Sequence, residues 1–237
     1  MNPLSGVLGE AWQMYKAHAG HLLAIAFVIY LAAAVIAALL ALAGGTVGAV
    51  LGSLVQIVAA FLLQATLVKA VQDVRDGRVD MSIGETVRAA VPYLGPVALA
   101  SILAGIAITI GLILLIVPGL YLITIWAVIV PVIVLEGTGA MASFGRSHQL
   151  VRGNGWHVFA TLVLVYIILL VVGLILGLIF SALPHALGNG LSSVISGTLV
   201  APFLALVVTL VYYRLAGDAQ APPPPAGGFG EYQQTPP

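Results

Sequence analysis

Cysteine is absent from the 237 residues and charged side chains are scarce, and these two deficits exclude several classes of protein. Without cysteine the chain forms no disulfide, no thiolate metal site and no cysteine nucleophile. Lys, Arg, Asp and Glu make up 7% of the residues, against about a quarter in a typical water-soluble domain. The formal net charge of zero provides no polybasic surface, so we expect no nucleic-acid partner.

The sequence also lacks the motifs that usually carry catalysis. It has no glycine-rich phosphate loop ending in Lys-Ser or Lys-Thr, no Gly-x-Ser-x-Gly elbow and no dinucleotide-binding fingerprint. No two histidines have the same-helix spacing of a zinc motif. No carboxylate, His or Lys lies in the middle of an apolar run, where ion carriers generally need one. We therefore expect no enzyme activity, no cofactor and no metal.

What the sequence has in abundance is apolar residues, at 61% of the chain and a mean hydropathy of +1.15. Runs of about 20 such residues match the ~30 Å hydrocarbon core of a bilayer. The pattern predicts an all-α polytopic membrane protein with six transmembrane helices, which span residues 21–43, 47–69, 97–117, 119–135, 158–181 and 191–214. Turn-forming residues at 44–48, 118–119 and 183–190 join these helices as three hairpins.

The positions of the charged residues support this count, because basic residues favour cytoplasmic loops. All eight basic residues fall before the first span, between spans two and three, between spans four and five, or after span six: Lys16, Lys69, Arg75, Arg78, Arg88, Arg146, Arg152 and Arg214. The eight acidic residues occupy the same four segments. The distribution predicts a plasma-membrane protein with both termini in the cytoplasm.

A short amphipathic segment precedes each hairpin and predicts a helix at the cytoplasmic interface. In the first segment the apolar face comprises Leu4, Leu8, Ala11, Trp12 and Tyr15. The second begins with Ser82 and Glu85, which are spaced as a capping box. In the third, the predicted apolar face comprises Met141, Phe144, His148 and Val151. Beyond the sixth span, the proline-rich composition predicts a disordered tail over 217–237.

Two groups of polar residues are candidate sites. Glu136 lies at the inner end of the fourth span, where it can pair with Arg146 or Arg152 on the third amphipathic segment. This group is either a structural ion pair or a functional inner surface. Gln56 and Gln64 are two turns apart on the second span, where they either line a cavity or form hydrogen bonds between helices.

Residues 116–165 resemble the bacterial glycerophosphoryl diester phosphodiesterase membrane domain family and the related YciC-like six-span proteins. The residues that carry the resemblance are Pro118, Gly119, Trp126, Pro131, Glu136, Gly137, Arg146, Ser147, Leu150, Val151, Arg152, Gly153 and Trp156. It implies a stand-alone six-helix protein of a bacterial plasma membrane. The chain has no room for the soluble barrel of the fused family members, so the resemblance does not extend to phosphodiesterase activity.

These observations favour a non-catalytic integral membrane protein that organises membrane lipids, a partner membrane protein or a homo-oligomer. The alternative is a transporter or flippase for a neutral or amphipathic substrate, which needs a central cavity. A third hypothesis is an interfacial enzyme that uses Glu136 with His148 or His157.

Overall fold

The structure is a computed structural model that describes the backbone of residues 4–75, 77–180 and 185–220, and the side chains of 4–75, 77–179 and 194–217. The elements in these ranges are all helical. They are α1 (Val7–Ala17), α2 (Ala19–Val74), α3 (Ile83–Ala90), a 3₁₀ turn (Val91–Tyr93), α4 (Leu94–Leu114), α5 (Ile116–Ile125), α6 (Ile129–Glu136), α7 (Ala140–Val151), α8 (Gly155–Phe180) and α9 (His185–Gln220).

Within the described residues, five helical segments are long and apolar enough to cross a membrane. They are Ala19–Val74, Ile83–Leu114, Ile116–Glu136, Gly155–Ile179 and Val194–Gly217. Large apolar side chains cover the outside of the bundle, including Leu42, Ile113 and Leu170. In water such a surface would be unstable, whereas lipid tails are as apolar as leucine. The chain is therefore an all-α membrane protein.

Helix α2 contains one residue outside the helical conformation, Gly45, with φ 53° and ψ −129°. The helical segment before Gly45 and the segment after it come into close backbone contact. Gly48 lies against the backbone carbonyl of Leu40, and a Cβ on Gly52 would be 3.0 Å from the carbonyl oxygen of Ala37. Both pairs are nearly symmetric about Gly45, so residues 19–44 and 46–74 run antiparallel. The positive φ at the reversal is one that glycine adopts readily.

A second reversal joins α4 to α5 at Leu115, whose backbone is extended. The sequence predicts this turn at Pro118 and Gly119, but both residues lie inside the first turn of α5. Pro118 fits there because the first N–H groups of a helix have no intrahelical partner to lose. Gly119 packs against Gly111 of α4, which brings the two helices close together.

The apolar segment that contains α5 and α6 is interrupted at residues 126–128. Pro131, at the third position of α6, has no N–H to donate to the carbonyl of Ala127. The interruption also frees the carbonyl of Ile125, which accepts a hydrogen bond of 2.8 Å from Ser147 Oγ on α7. The helix is thus broken just before Pro131, and Ser147 on α7 supplies part of the missing hydrogen bonding.

The second amphipathic segment begins as predicted. Ser82 Oγ accepts a hydrogen bond from the backbone N–H of Glu85, and the carboxylate of Glu85 accepts one from the backbone N–H of Ser82. This reciprocal capping box starts α3. The first segment forms α1, which packs along α9, with the Tyr15 hydroxyl donating to the carbonyl of Leu199.

Two members of the predicted apolar face of α7 do not pack against the bundle. Met141 and His148 are exposed, whereas Ser143 and Ser147 are fully buried. Small serines allow α7 to approach its neighbouring helices closely, and their hydroxyls bond to backbone carbonyls. A sequence pattern based on hydrophobicity assigns serine to the outer face and therefore misses this arrangement.

Helices α8 and α9 complete the bundle. Part of the turn predicted between them, residues 181–184, lies outside the described residues, and α9 begins at His185. Its helix continues through residues 217–220, which the sequence analysis assigns to the tail. Residues 221–237 of that tail lie outside the described residues.

Candidate functional site

Three consecutive residues near the end of α9, Tyr212, Tyr213 and Arg214, each contact a different part of the chain. Together with their partners Glu136, Arg146, Arg75 and Glu10 they form a polar cluster that we call the charged end of the bundle.

Tyr212 and Arg146 meet at Glu136. The Tyr212 hydroxyl donates to Glu136 Oε1 at 3.0 Å, and Arg146 Nε donates to both carboxylate oxygens, at 3.0 and 2.9 Å. Tyr212 is 6% exposed, so its hydroxyl has little access to water. The hydrogen bond that Arg146 donates to Glu136 raises the pKa of the Arg146 guanidinium further above its ordinary value. One carboxylate thus joins α6, α7 and α9.

A glycine with positive φ gives this carboxylate its position. Glu136 is the last residue of α6, and Gly137 follows it with φ 67° and ψ 25°. A left-handed residue at this place ends a helix and redirects the chain. The redirected chain enters α7, and Arg146 on that helix lies within reach of Glu136.

The neighbouring residues of α9 reach the first part of the chain. The guanidinium carbon of Arg75 lies 3.8 Å from the centroid of the Tyr213 ring, which is a cation–π contact. Arg214 Nη2 forms an ion pair of 2.6 Å with Glu10 Oε2 on α1. The three residues of α9 thus connect α1, the end of α2 and the α6–α7 turn.

Sequence reasoning pairs Glu136 with Arg146 or Arg152, of which the structure shows Arg146, and it misses both tyrosines. The available signal is the position of Tyr212 and Tyr213, which end an apolar run immediately before Arg214. Tyrosine is enriched at the interface between membrane and water, because its ring is apolar and its hydroxyl is polar. That signal indicates a depth in the membrane and does not identify the partner.

The structure separates Arg152 from this cluster. Arg152 follows the last residue of α7 and is exposed, and no ion pair involves it in the part of the chain that the structure describes. Trp156, which is 78% exposed, begins the next helix and stacks on Phe159 with ring centroids 5.4 Å apart. An exposed cation and an exposed indole therefore flank the α7–α8 turn.

A cavity of about 520 Å³ lies in the middle of the bundle. Both antiparallel parts of α2 line it, as do α4, α5, α6, α8 and α9. Of the two candidate glutamines, Gln64 lines the cavity, whereas Gln56 is partly buried elsewhere on α2.

The polar side chains that line the cavity are uncharged: Tyr30, Gln64, Trp126, Tyr166 and Thr209. Thr209 is fully buried, and its hydroxyl has no hydrogen-bond partner among the described residues. Sequence analysis identified only Gln64 of this set. The other four lie on α2, α8, α9 and the break between α5 and α6, so no sequence spacing brings them together.

Other ionisable groups do not gather into a recognisable metal centre. Within the described ranges no three His, Cys, Asp or Glu side chains lie close enough to hold a metal ion together. At the charged end, Glu136 bonds to Tyr212 and Arg146. The polar side chains described in the cavity wall are neutral hydrogen-bonding groups. The charged end can hold helices together and the cavity can bind a ligand, and the described residues of the two regions include no evident catalytic group.

The fold and these two regions define an all-helical membrane protein. Residues 79–216 match the model of a domain of unknown function, DUF7847, which covers more than half of the chain. The chain belongs to that family. The comparison with curated proteins found no match, and the comparison with solved structures found none either.

Proposed function

We propose that this chain is a six-span integral membrane protein that organises anionic lipids at its exposed α7–α8 turn and carries out no catalysis. Six crossings follow if the antiparallel halves of α2 each cross once and α3–α4, α5–α6, α8 and α9 add four more. The reversal at Gly45 supports this count, because a single straight helix of 56 residues would be about 84 Å long.

The proposed orientation puts the charged end and both termini in the cytoplasm of a bacterium. The confinement of the basic residues to four segments supports it, since arginine and lysine near span ends favour the cytoplasmic side. The resemblance of residues 116–165 to bacterial six-span proteins is consistent with this orientation and stays a prediction.

The observation that carries the lipid proposal is the exposed pair at the α7–α8 turn, Arg152 and Trp156. Tryptophan is enriched at headgroup depth, and an arginine at that level gains ~1 kcal/mol from anionic lipid. Arg146 is not equivalent to Arg152, because its guanidinium already bonds to Glu136. Its role in this proposal is to hold α7, and thereby the turn, in place.

The proposal is tested by comparing the lipid binding of a variant that removes the charge of Arg152 with that of a variant that keeps it. Purified protein in a neutral detergent is titrated with phosphatidylglycerol or phosphatidylcholine, and bound lipid is counted by native mass spectrometry. Arg152→Gln is expected to weaken phosphatidylglycerol binding about fivefold, which corresponds to ~1 kcal/mol. Arg152→Lys keeps the charge and should retain most of the binding. Unchanged phosphatidylglycerol binding by Arg152→Gln would contradict the proposal.

The central cavity favours one second candidate function, the movement of a neutral or amphipathic substrate across the bilayer. Its lining residues come from every long helix, so a substrate in it would lie between the helices of the bundle. Against it, three similar hairpins are not the inverted repeats common in transporters. Proteoliposomes with a fluorescent lipid in the inner leaflet decide between the two, because a flippase exposes that lipid to an external quencher.

A further inference from the structure

We infer that the central cavity is a binding site for one uncharged amphiphile, whose hydroxyl or carbonyl head bonds to Gln64 and Thr209 and whose hydrocarbon chain lies along the apolar wall. The inference concerns a different region from the charged end. It stands or fails independently of the lipid-organising function proposed above.

The wall of the cavity is predominantly apolar and suits a hydrocarbon chain. It is built from aliphatic side chains of α2, α4, α8 and α9, among them Leu63, Ile108, Leu162 and Leu204. A volume of about 520 Å³ falls within the range of small-molecule sites, which is roughly 300–1,000 Å³. Gln64 and Tyr166 line the cavity and are themselves exposed, so the cavity is open to the outside of the bundle.

The polar groups in the wall identify the head of the ligand. The Thr209 hydroxyl is fully buried and has no partner among the described residues, although burial of an unpaired hydroxyl is unfavourable. Gln64 contributes an amide that can donate and accept, and Trp126 an indole N–H that can only donate. A ligand hydroxyl or carbonyl would give the Thr209 hydroxyl the partner that the described residues do not supply, and Gln64 could bond to the same head.

The described side chains that line the cavity carry no charge, which excludes anionic lipids from this site. Among the residues that the structure describes, no Asp, Glu, Lys or Arg lines the cavity. A phosphate, carboxylate or ammonium group would enter a mostly apolar space without an opposite charge, which is strongly unfavourable. The ligand is therefore neutral, in contrast to the anionic lipids proposed for Arg152.

Fluorescence of a single tryptophan reports occupancy of this cavity directly. A Trp12→Phe, Trp156→Phe variant keeps Trp126 in the cavity wall, and a Trp12→Phe, Trp126→Phe variant keeps the exposed Trp156 as the control. The probe is a monoacylglycerol with a dibrominated 18-carbon chain, because bromine quenches indole at short range. The protein is kept in detergent with the probe at a low mole fraction.

We expect saturable quenching of Trp126 that unlabelled 1-oleoylglycerol reverses and that oleate at neutral pH reverses poorly. Trp156 should show only weak quenching, linear in probe concentration. Equal quenching of the two tryptophans, or quenching of Trp126 that never saturates, would overturn the inference. Equal competition by oleate would overturn the assignment to a neutral ligand.

Two matched pairs of substitutions test the assigned contacts. Gln64→Leu and Thr209→Val are each expected to weaken 1-oleoylglycerol binding about fivefold, as the loss of one hydrogen bond would. Gln56→Leu and Thr198→Val are the controls, since neither residue lines the cavity and the Thr198 hydroxyl is also buried and unpartnered. Equal effects of test and control substitutions would overturn the inference. If Gln64→Leu does not fold, Thr209→Val and its control carry the test.

Discussion

The charged end and the central cavity differ in whether their buried polar side chains have hydrogen-bond partners. At the charged end, Glu136 bonds to both Tyr212 and Arg146. In the cavity the Thr209 hydroxyl is buried without a partner among the described residues. Paired polar groups hold helices together, whereas an unpaired group in an apolar wall is available to a ligand. We interpret the first region as structural and the second as a binding site.

The largest expected effect concerns which side of the membrane each region faces. A reporter fused after Gly153 should be cytoplasmic, and one fused after Gly45 should be external, because the antiparallel halves of α2 would carry residue 45 to the opposite side. Activity of a compartment-specific reporter measures both positions. The same compartment for both fusions would contradict six crossings and the proposed orientation of the charged end.

The next effect concerns the stability of the charged end. Glu136→Ala removes the acceptor of two side chains and leaves the buried hydroxyl of Tyr212 unpaired, so we expect it to lower the free energy of unfolding by about 2 kcal/mol. Thermal unfolding in detergent measures the loss. Glu10→Ala is the control, because its pair with Arg214 is about 40% exposed and such pairs contribute under about 1 kcal/mol. Equal losses in the two variants would remove the special role of Glu136.

The smallest effect on stability is expected at Arg152. This side chain is exposed and has no ion pair among the described residues, so Arg152→Gln should change the free energy of unfolding by less than about 0.5 kcal/mol. The same variant is the one expected to lose phosphatidylglycerol binding. A large loss of stability would mean that Arg152 belongs to the structural part of the charged end, beside Arg146.

The sequence is informative wherever local chemistry decides the structure. Apolar runs predict the membrane helices, the spacing of Ser82 and Glu85 predicts the start of α3, and the proximity of Glu136 and Arg146 along the chain favours their pairing. Each of these depends on residues fewer than about 25 positions apart.

The sequence is less informative where distant elements meet. Tyr212 and Glu136 are 76 positions apart, and nothing in the spacing of either residue indicates the other. Ser147 is only 22 positions from Ile125, but the carbonyl that it bonds to becomes free because the helix breaks between α5 and α6, and the spacing of the two residues does not indicate this. The distinction between Gln56 and Gln64 likewise depends on how five other helices surround α2.

The contrast between the two regions is tested most directly by Tyr212→Phe and Thr209→Val, measured for thermal unfolding with and without 1-oleoylglycerol. Tyr212→Phe removes a paired hydroxyl, so it should lower the stability of the ligand-free protein by about 1 kcal/mol and keep the stabilisation by ligand. Thr209→Val removes an unpaired hydroxyl, so it should leave the ligand-free stability unchanged or slightly raised and reduce the stabilisation by ligand. The account is contradicted if Thr209→Val destabilises the ligand-free protein as Tyr212→Phe does, or if it retains the full stabilisation by ligand.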